Sequence, residues 1–176
     1  MNKKLYLGIY TGSFALAVLG MVFVTAVSVL APDSKTLVVQ TVTTISAIAM
    51  IQFLLVLTVY PFVLLAKMWS SIQDEWTTVT PGKAIGFLFI PFFNLYWIFR
   101  VWAGYATEYD NYVLRHNLSV APLESGSFTV YPIFAVLGGL LYFPIIVLPF
   151  LMFPMIGKAC DAVNGLSTAR VVVWIN

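Results

Sequence analysis

Two long runs without a charged residue constrain the fold of this chain more than any other feature. The first extends from Leu5 to Leu30 and the second from Leu37 to about Ala66. Each is longer than the roughly 20 apolar residues that cross a bilayer as a helix. The first is also too long for the apolar region of a signal peptide, which has about 7 to 15 residues. Both runs are therefore predicted to span a membrane.

Composition extends this prediction to the whole chain. It is 61% hydrophobic and 9% charged, whereas a soluble domain has about 25% charged residues. We predict a single all-α domain, residues 1–176, that is a polytopic integral membrane protein with about four transmembrane helices and a kinked third segment. The spans are expected at about 5–30, 37–66, 84–105 and 130–157, with an amphipathic extension at 105–116 and a C-terminal tail at 166–176.

Two of the predicted spans carry a patterned face. Gly8, Gly12 and Gly20 lie on one side of the first, and small residues at that spacing predict close helix packing. In the second span, polar residues fall within an arc of roughly 120° at 100° per residue. They are Gln40, Thr41, Thr44 and Gln52. This arc indicates either contacts with other helices or the lining of a pore, and the first is favoured because none of its residues is ionisable.

The third segment is expected to break at its centre. Pro91 cannot donate to the carbonyl of Phe87, so the helix should kink there. We expect Asn94 to hydrogen-bond Gln52 at the same depth, since both side chains are costly if unpaired in hydrocarbon. Arg100 lies toward the far end of the segment, where it can anchor the helix at the boundary or contact a partner.

An alternative topology makes Ala84–Asn94 a re-entrant half-helix and lays Leu95–His116 on the cytoplasmic face. Both topologies put most lysines and arginines on the cytoplasmic side and the N-terminus with them, so the positive-inside rule does not separate them. The four-span topology is preferred because Ala84–Tyr105 is long enough to cross.

The extension beyond Gly104 has an aromatic face formed by Tyr105, Tyr109, Tyr112 and His116, at helical spacing. Together with Trp174 in the apolar tail Val171–Asn176, this face is predicted to dock another subunit, because tyrosine and tryptophan are enriched at protein contacts. The alternative is that both elements fold back on this chain's own helices or on headgroups.

Several short motifs in the chain resemble one known family. They are Pro81-Gly82-Lys83, the core Pro91–Trp97 and the sequence Asp161–Asn164, which cover about a quarter of the chain with their surroundings. The chain resembles a bacterial family of small, uncharacterised multi-helix membrane proteins with a PGKAxGFxFIPFFNLYW-type motif. The resemblance implies a multi-pass location in the bacterial inner membrane and no specific activity.

Residues for catalysis or ligand binding are scarce. The chain has a single histidine, His116, and a single cysteine, Cys160, so neither a metal cluster nor a disulfide is predicted. Phosphate-binding loops and nucleophile elbows are absent from the sequence, and a net charge of +2 does not predict nucleic-acid binding. We therefore expect no enzyme and no cofactor. The partners expected are the lipid bilayer and other membrane subunits, in a complex or in a homo-oligomer.

The predicted function is that of a non-catalytic accessory or structural subunit of a larger bacterial membrane protein complex. It would act through helix packing and the aromatic docking face. The alternative is a small channel or transporter that uses the polar arc of the second span and the helix break at Pro91 and Asn94, since interrupted helices often line transport sites.

Overall fold

The computed structural model describes residues 1–30, 37–141 and 147–175, with the side chains of all but 30, 38, 138–141 and 171–175. These residues form helices and contain no strand, which confirms the all-α prediction. The elements are α1 (Lys3–Leu30), α2 (Leu37–Ser71), α3 (Pro81–Gly86), a 3-10 turn (Phe87–Phe89), α4 (Phe93–Arg115), α5 (Gly126–Leu141) and α6 (Leu148–Ile175).

The chain divides into two compact units. The N-terminal unit is Lys4–Pro61, and the larger unit comprises Met1–Lys3 and Phe62–Asn176. Helix α2 belongs to both, and the division falls directly after Pro61, a proline inside that helix. The expectation of a single domain stays a prediction.

The N-terminal unit is an antiparallel pair of helices. The ring of Tyr6 lies 5.5 Å from that of Tyr60, and the ring of Phe14 lies 5.6 Å from that of Phe53. The hydroxyl of Tyr60 also donates a 2.7 Å hydrogen bond to the carbonyl of Tyr6. Residues early in α1 therefore meet residues late in this part of α2, as in a helical hairpin.

Both helices of this pair are long and apolar enough to cross a membrane. Lys3–Val29 has a mean hydropathy of 2.1 with 11% of its most apolar window buried, and Val39–Ser71 has 2.4 with 17% buried. The core helix of a soluble protein would be mostly buried. The two helices are therefore consistent with membrane insertion.

The three glycines predicted to pack differ in their surroundings. A Cβ atom at Gly20 would lie 3.3 Å from the Cβ of Ser46, so α1 and α2 approach closely at this point. A Cβ atom at Gly8 or Gly12 would meet none of the described residues within 4 Å. The structure therefore shows a close helix approach at Gly20, and packing at Gly8 and Gly12 stays a prediction.

We expect Gly20→Leu to separate the two helices and to lower the free energy of unfolding of the N-terminal unit by about 1–3 kcal/mol, the usual cost of overpacking. Thermal unfolding in detergent, followed by helical circular dichroism, measures this. Gly12→Leu is the matched control, and it should leave the midpoint nearly unchanged. Equal shifts for the two variants would contradict the close approach at Gly20.

The larger unit has a core built from the end of α2 and from α4, α5 and α6. Trp69, Trp102, Tyr105, Phe128 and Met155 are among its fully buried side chains. Helix α4 packs on α5, and α5 packs on α6.

The predicted third span is not a kinked helix. The indole nitrogen of Trp97 lies 3.2 Å from the carbonyl oxygen of Ala84, although a straight helix would separate these residues by about 20 Å. The chain therefore reverses between α3 and α4. This correction favours the re-entrant alternative for the segment that starts at Ala84.

The predicted fourth span, 130–157, is also not one helix in the described residues. Helix α5 ends at Leu141 and α6 begins at Leu148. The ammonium of Lys158 on α6 donates a 2.9 Å hydrogen bond to the hydroxyl of Ser127 on α5, so the two helices run back along each other. The tail predicted at 166–176 is helical as far as Ile175, because α6 continues through Gly165.

Candidate functional site

A cluster of charges joins the end of α2 to the end of α4. The guanidinium of Arg115 lies 2.9 Å from the carboxylate of Asp74 and 3.2 Å from that of Glu108. The ring of His116 lies 3.4 Å from the same oxygen of Asp74. The hydroxyl of Thr77 donates a 2.7 Å hydrogen bond to Asp74 as well. We call Asp74, Thr77, Glu108, Arg115 and His116 the polar cluster.

Asp74 is the centre of the polar cluster. Burial alone would raise the pKa of its carboxyl group. Hydrogen bonds from Thr77, from Arg115 and from the backbone N–H of Trp76 outweigh burial and lower this pKa from 3.8 to about 2. Asp74 is therefore a fixed negative charge at neutral pH that holds two helix ends together.

We expect Asp74→Asn to lower the free energy of unfolding of the larger unit by about 1–3 kcal/mol, because hydrogen bonds to a charged group are lost. Since folding lowers the pKa of Asp74, its stabilisation is complete above about pH 4 and is lost as the pH falls toward 2. Unfolding midpoints measured from pH 7 to pH 2 check both points. The exposed neighbour Glu75→Gln is the control. A variant Asp74→Asn as stable as Glu75→Gln at pH 7 would refute the role.

The predicted docking tyrosines lie inside the chain. The exposed fractions of Tyr105, Tyr109 and Tyr112 are 0%, 1% and 5%. Tyr105 packs against Trp69 with ring centroids 5.7 Å apart, and its hydroxyl lies 3.3 Å from that of Ser71. The three tyrosines are therefore not a free docking face, because they form this unit's own core, as in the alternative that the sequence left open.

Of the other predicted docking residues, His116 is exposed and belongs to the polar cluster. The side chain of Trp174 lies outside the described residues. Close to Tyr112, the guanidinium of Arg170 lies 5.0 Å from the ring centroid and donates a hydrogen bond to the phenol oxygen. It also donates a 2.6 Å bond to the carbonyl of Ser71. Arg170 thus connects α6 to the ends of α2 and α4. The sequence placed residues 166–176 in a tail, and Arg170 can make these contacts because α6 continues as far as Ile175.

The polar arc of α2 points away from α1. The α2 residues that contact α1, Ser46, Phe53 and Tyr60, centre about 160° from the middle of the arc at 100° per residue. Gln40, Thr41, Thr44 and Gln52 are all exposed. We call these four residues the outer stripe.

The side chains of the outer stripe differ in whether they form hydrogen bonds within the described residues. The hydroxyls of Thr41 and Thr44 donate to the carbonyls of Leu37 and Gln40, at 2.8 Å each, so they suit an apolar environment. In the described part of the chain, the side-chain amides of Gln40 and Gln52 make no hydrogen bond. The outer stripe therefore presents two amides that need partners outside this chain's described contacts.

Two of the three motifs that carry the family resemblance, Pro81–Lys83 and Pro91–Trp97, fold as a closed hairpin, whereas Asp161–Asn164 lies in α6. Thr80 caps α3, since its hydroxyl accepts a 3.3 Å hydrogen bond from the N–H of Lys83, and Pro81 occupies the first turn, where its missing N–H costs nothing. The ring of Trp97 packs against Phe87 at 4.9 Å and stacks on Phe93 at 5.5 Å. We call Pro81–Trp97 the aromatic hairpin.

The tip of the aromatic hairpin is a tight turn. The N–H of Phe93 donates a 2.7 Å hydrogen bond to the carbonyl of Pro91 across Phe92, whose φ is 63° and ψ −43°. This is a γ-turn in its rare, strained form. Because Pro91 has no N–H, the carbonyl of Phe87 needs another donor. The N–H of Ile90 donates to it at 3.3 Å.

We expect Trp97→Phe to open the aromatic hairpin. It keeps the aromatic contacts but leaves the buried carbonyl of Ala84 without the indole donor, at a cost of about 1–3 kcal/mol. Hydrogen exchange of the amides of residues 84–95 should accelerate by the corresponding factor. The control is Trp76→Phe, because that side chain is 72% exposed. Unchanged exchange in Trp97→Phe would show that the indole bond does not close the hairpin.

The remaining predicted site residues of this unit, Asn94 and Arg100, lie at the start of α4. Asn94 is half-buried in the first turn of α4, and Gln52 belongs to the other unit, so their hydrogen bond stays a prediction. Arg100 lies against its own helix, with its guanidinium 2.7 Å from where a Cβ atom on Gly104 would stand. Its role as an anchor at the membrane boundary stays a prediction as well.

The described residues include no group of three or more His, Cys, Asp or Glu side chains that could hold a metal ion. A groove of about 510 Å³ lies between 117–121 and the segment of α6 that carries Gly165 and Thr168, and no titratable side chain lines it. A second groove, of about 250 Å³, is lined in part by Glu124, Lys158 and Asp161. Its charges are paired, Lys158 with Glu124 and Asp161 with Lys3.

Comparisons of the chain with protein-family models, with curated proteins and with solved structures find no match. The resemblance to a bacterial membrane family therefore stays a prediction, and what the chain does has to be argued from its own geometry.

Proposed function

We propose that this chain is a non-catalytic accessory or structural subunit of a larger membrane protein complex in the bacterial inner membrane. It is multi-pass, with its N-terminus in the cytoplasm. It binds other membrane helices through the outer stripe of α2, in place of the tyrosine face that the sequence suggested.

One observation carries this proposal. The amides of Gln40 and Gln52 are exposed on a helix that is long and apolar enough to span a membrane. An amide without a hydrogen-bond partner in hydrocarbon costs several kcal/mol, so lipid alone is a poor neighbour for this face. Polar groups on a neighbouring helix satisfy such amides, and they serve as contacts between membrane helices.

The outer stripe is also suited to a second candidate function. In an assembly of several copies, the stripes that point away from α1 would line a shared aqueous path, as in a small channel or transporter. The amides would then be satisfied by water. The two functions differ in whether Gln52 is in contact with water or with protein.

We expect Gln52→Leu to insert normally and to weaken the complex. Loss of one interhelical hydrogen bond costs about 0.6 kcal/mol, or roughly a threefold change in the dissociation constant. The test is purification in mild detergent at native expression, with quantification of the membrane proteins that co-purify. Leu54→Ala, an exposed position beside the stripe, is the control. A partner that remains at wild-type yield with Gln52→Leu would contradict the subunit role.

A thiol at the same position separates the two functions. In a Cys160→Ala background, Gln52→Cys should resist a membrane-impermeant thiol reagent if a partner helix covers the stripe. Rapid modification from the aqueous phase would instead favour the channel. Glu75→Cys, in an exposed loop, reports the rate for a thiol in water.

A further inference from the structure

The tip of the aromatic hairpin is a contiguous exposed apolar patch of the larger unit. The exposed fractions of Phe89, Phe92 and Tyr96 are 68%, 89% and 62%, and Ile90, Phe93 and Leu95 between them are also exposed. The indole bond of Trp97 holds this tip in place without covering it. In water such a contiguous patch marks a contact surface.

Most of the backbone of the tip is prepared for surroundings without water. The N–H groups of Ile90, Phe93, Asn94 and Leu95 donate to carbonyls within the hairpin, at 2.7–3.3 Å. Pro91 has no N–H to satisfy, and the N–H of Phe92 makes no hydrogen bond to the described residues. Non-helical backbone in hydrocarbon needs such internal bonding, whereas a turn in water or at a protein surface does not.

The length and charge of the hairpin match one leaflet. The segment from Ala84 to Phe99 contains no charged residue, and Lys83 and Arg100 stand at its two ends. From Ala84 to the tip, three α-helical and three 3-10 residues rise about 10 Å. One leaflet of the roughly 30 Å hydrocarbon core is about 15 Å deep. The hairpin can therefore enter a leaflet without crossing it, while both basic side chains stay at headgroup level.

The strained turn is the fourth indication. Phe92 is a bulky residue at positive φ, where glycine would be free of strain. Its ring is 89% exposed, so contacts within the chain do not hold it there. Strain of this kind is typical of sites that act on something outside the chain.

We propose that the tip of the aromatic hairpin inserts into the hydrocarbon of one leaflet, and that Lys83 and Arg100 bind the anionic phospholipid headgroups around it. The hairpin is then a re-entrant lipid anchor that sets the position of α4 at the membrane surface. This proposal shares with the proposed function only the premise that α1 and α2 lie in a bilayer.

The test uses the full chain in lipid nanodiscs of phosphatidylethanolamine and phosphatidylglycerol, in a Cys160→Ala background. A fluorescent label on Phe92→Cys should be quenched by lipids brominated along the acyl chain and shielded from aqueous iodide. The label on Leu54→Cys, an exposed position on α2 outside the outer stripe, is the reference for lipid. The label on Glu75→Cys is the reference for water.

The outcomes are distinct. If the Leu54 label is quenched by lipid but the Phe92 label is as open to iodide as the Glu75 label, the anchor is refuted and the subunit role survives. If the Leu54 label is open to iodide, the membrane placement of α2 fails, and both proposals fail with it. If neither bromine nor iodide quenches the Phe92 label, protein covers the tip and the lipid proposal is wrong.

The headgroup contact has its own readout. Replacing phosphatidylglycerol with phosphatidylcholine should reduce bromine quenching of the Phe92 label, because Lys83 and Arg100 lose their anionic partners. The double variant Lys83→Gln and Arg100→Gln should abolish that difference between the lipids. Equal quenching of the wild-type sequence in both lipids would refute the headgroup contact.

Discussion

The hydrogen bond from the indole of Trp97 to the carbonyl of Ala84 is the interaction on which the larger unit depends. It closes the chain reversal one turn into α4 and so fixes the direction that α4 takes. The next turns of α4 then meet the end of α2, where the indole of Trp69 donates a 3.1 Å hydrogen bond to the carbonyl of Val101. The same face continues through Tyr105 and Tyr109, which is why aromatic residues at helical spacing end in a core.

The sequence predicted those features that depend only on local chemistry. The ends of α1 and the start of α2 follow from uncharged runs that nothing interrupts, and Pro91, where a kink was predicted, lies in the turn between the 3-10 turn and α4. A proline does not determine where the chain goes next, however. That depends on the contact between Trp97 and Ala84, and a single sequence holds no signal for a bond between residues so far apart.

The sequence also did not show which apolar faces are buried against protein. The periodicity of Tyr105, Tyr109 and Tyr112 identified one face of α4 but not its neighbour. Likewise, 130–157 has the hydropathy of a span, yet Phe128, Met152 and Met155 are buried against protein. Apolar side chains satisfy a bilayer and a protein core equally well, so hydropathy does not distinguish one span from two helices packed side by side. The outer stripe is free of this ambiguity, because an amide without a hydrogen-bond partner is costly in hydrocarbon at any position.

The outer stripe and the tip of the aromatic hairpin therefore suit different neighbours. At the outer stripe the side chains of Gln40 and Gln52 have no hydrogen-bond partner among the described residues, so a neighbour that offers hydrogen bonds suits them. At the hairpin tip the N–H groups of Ile90 and of residues 93–95 are bonded within the turn and the side chains are mostly apolar, so hydrocarbon suits them. Hydrogen bonds are directional and select one partner, whereas hydrocarbon contact selects none. The proposed roles, partner recognition by α2 and lipid attachment by the aromatic hairpin, follow this difference.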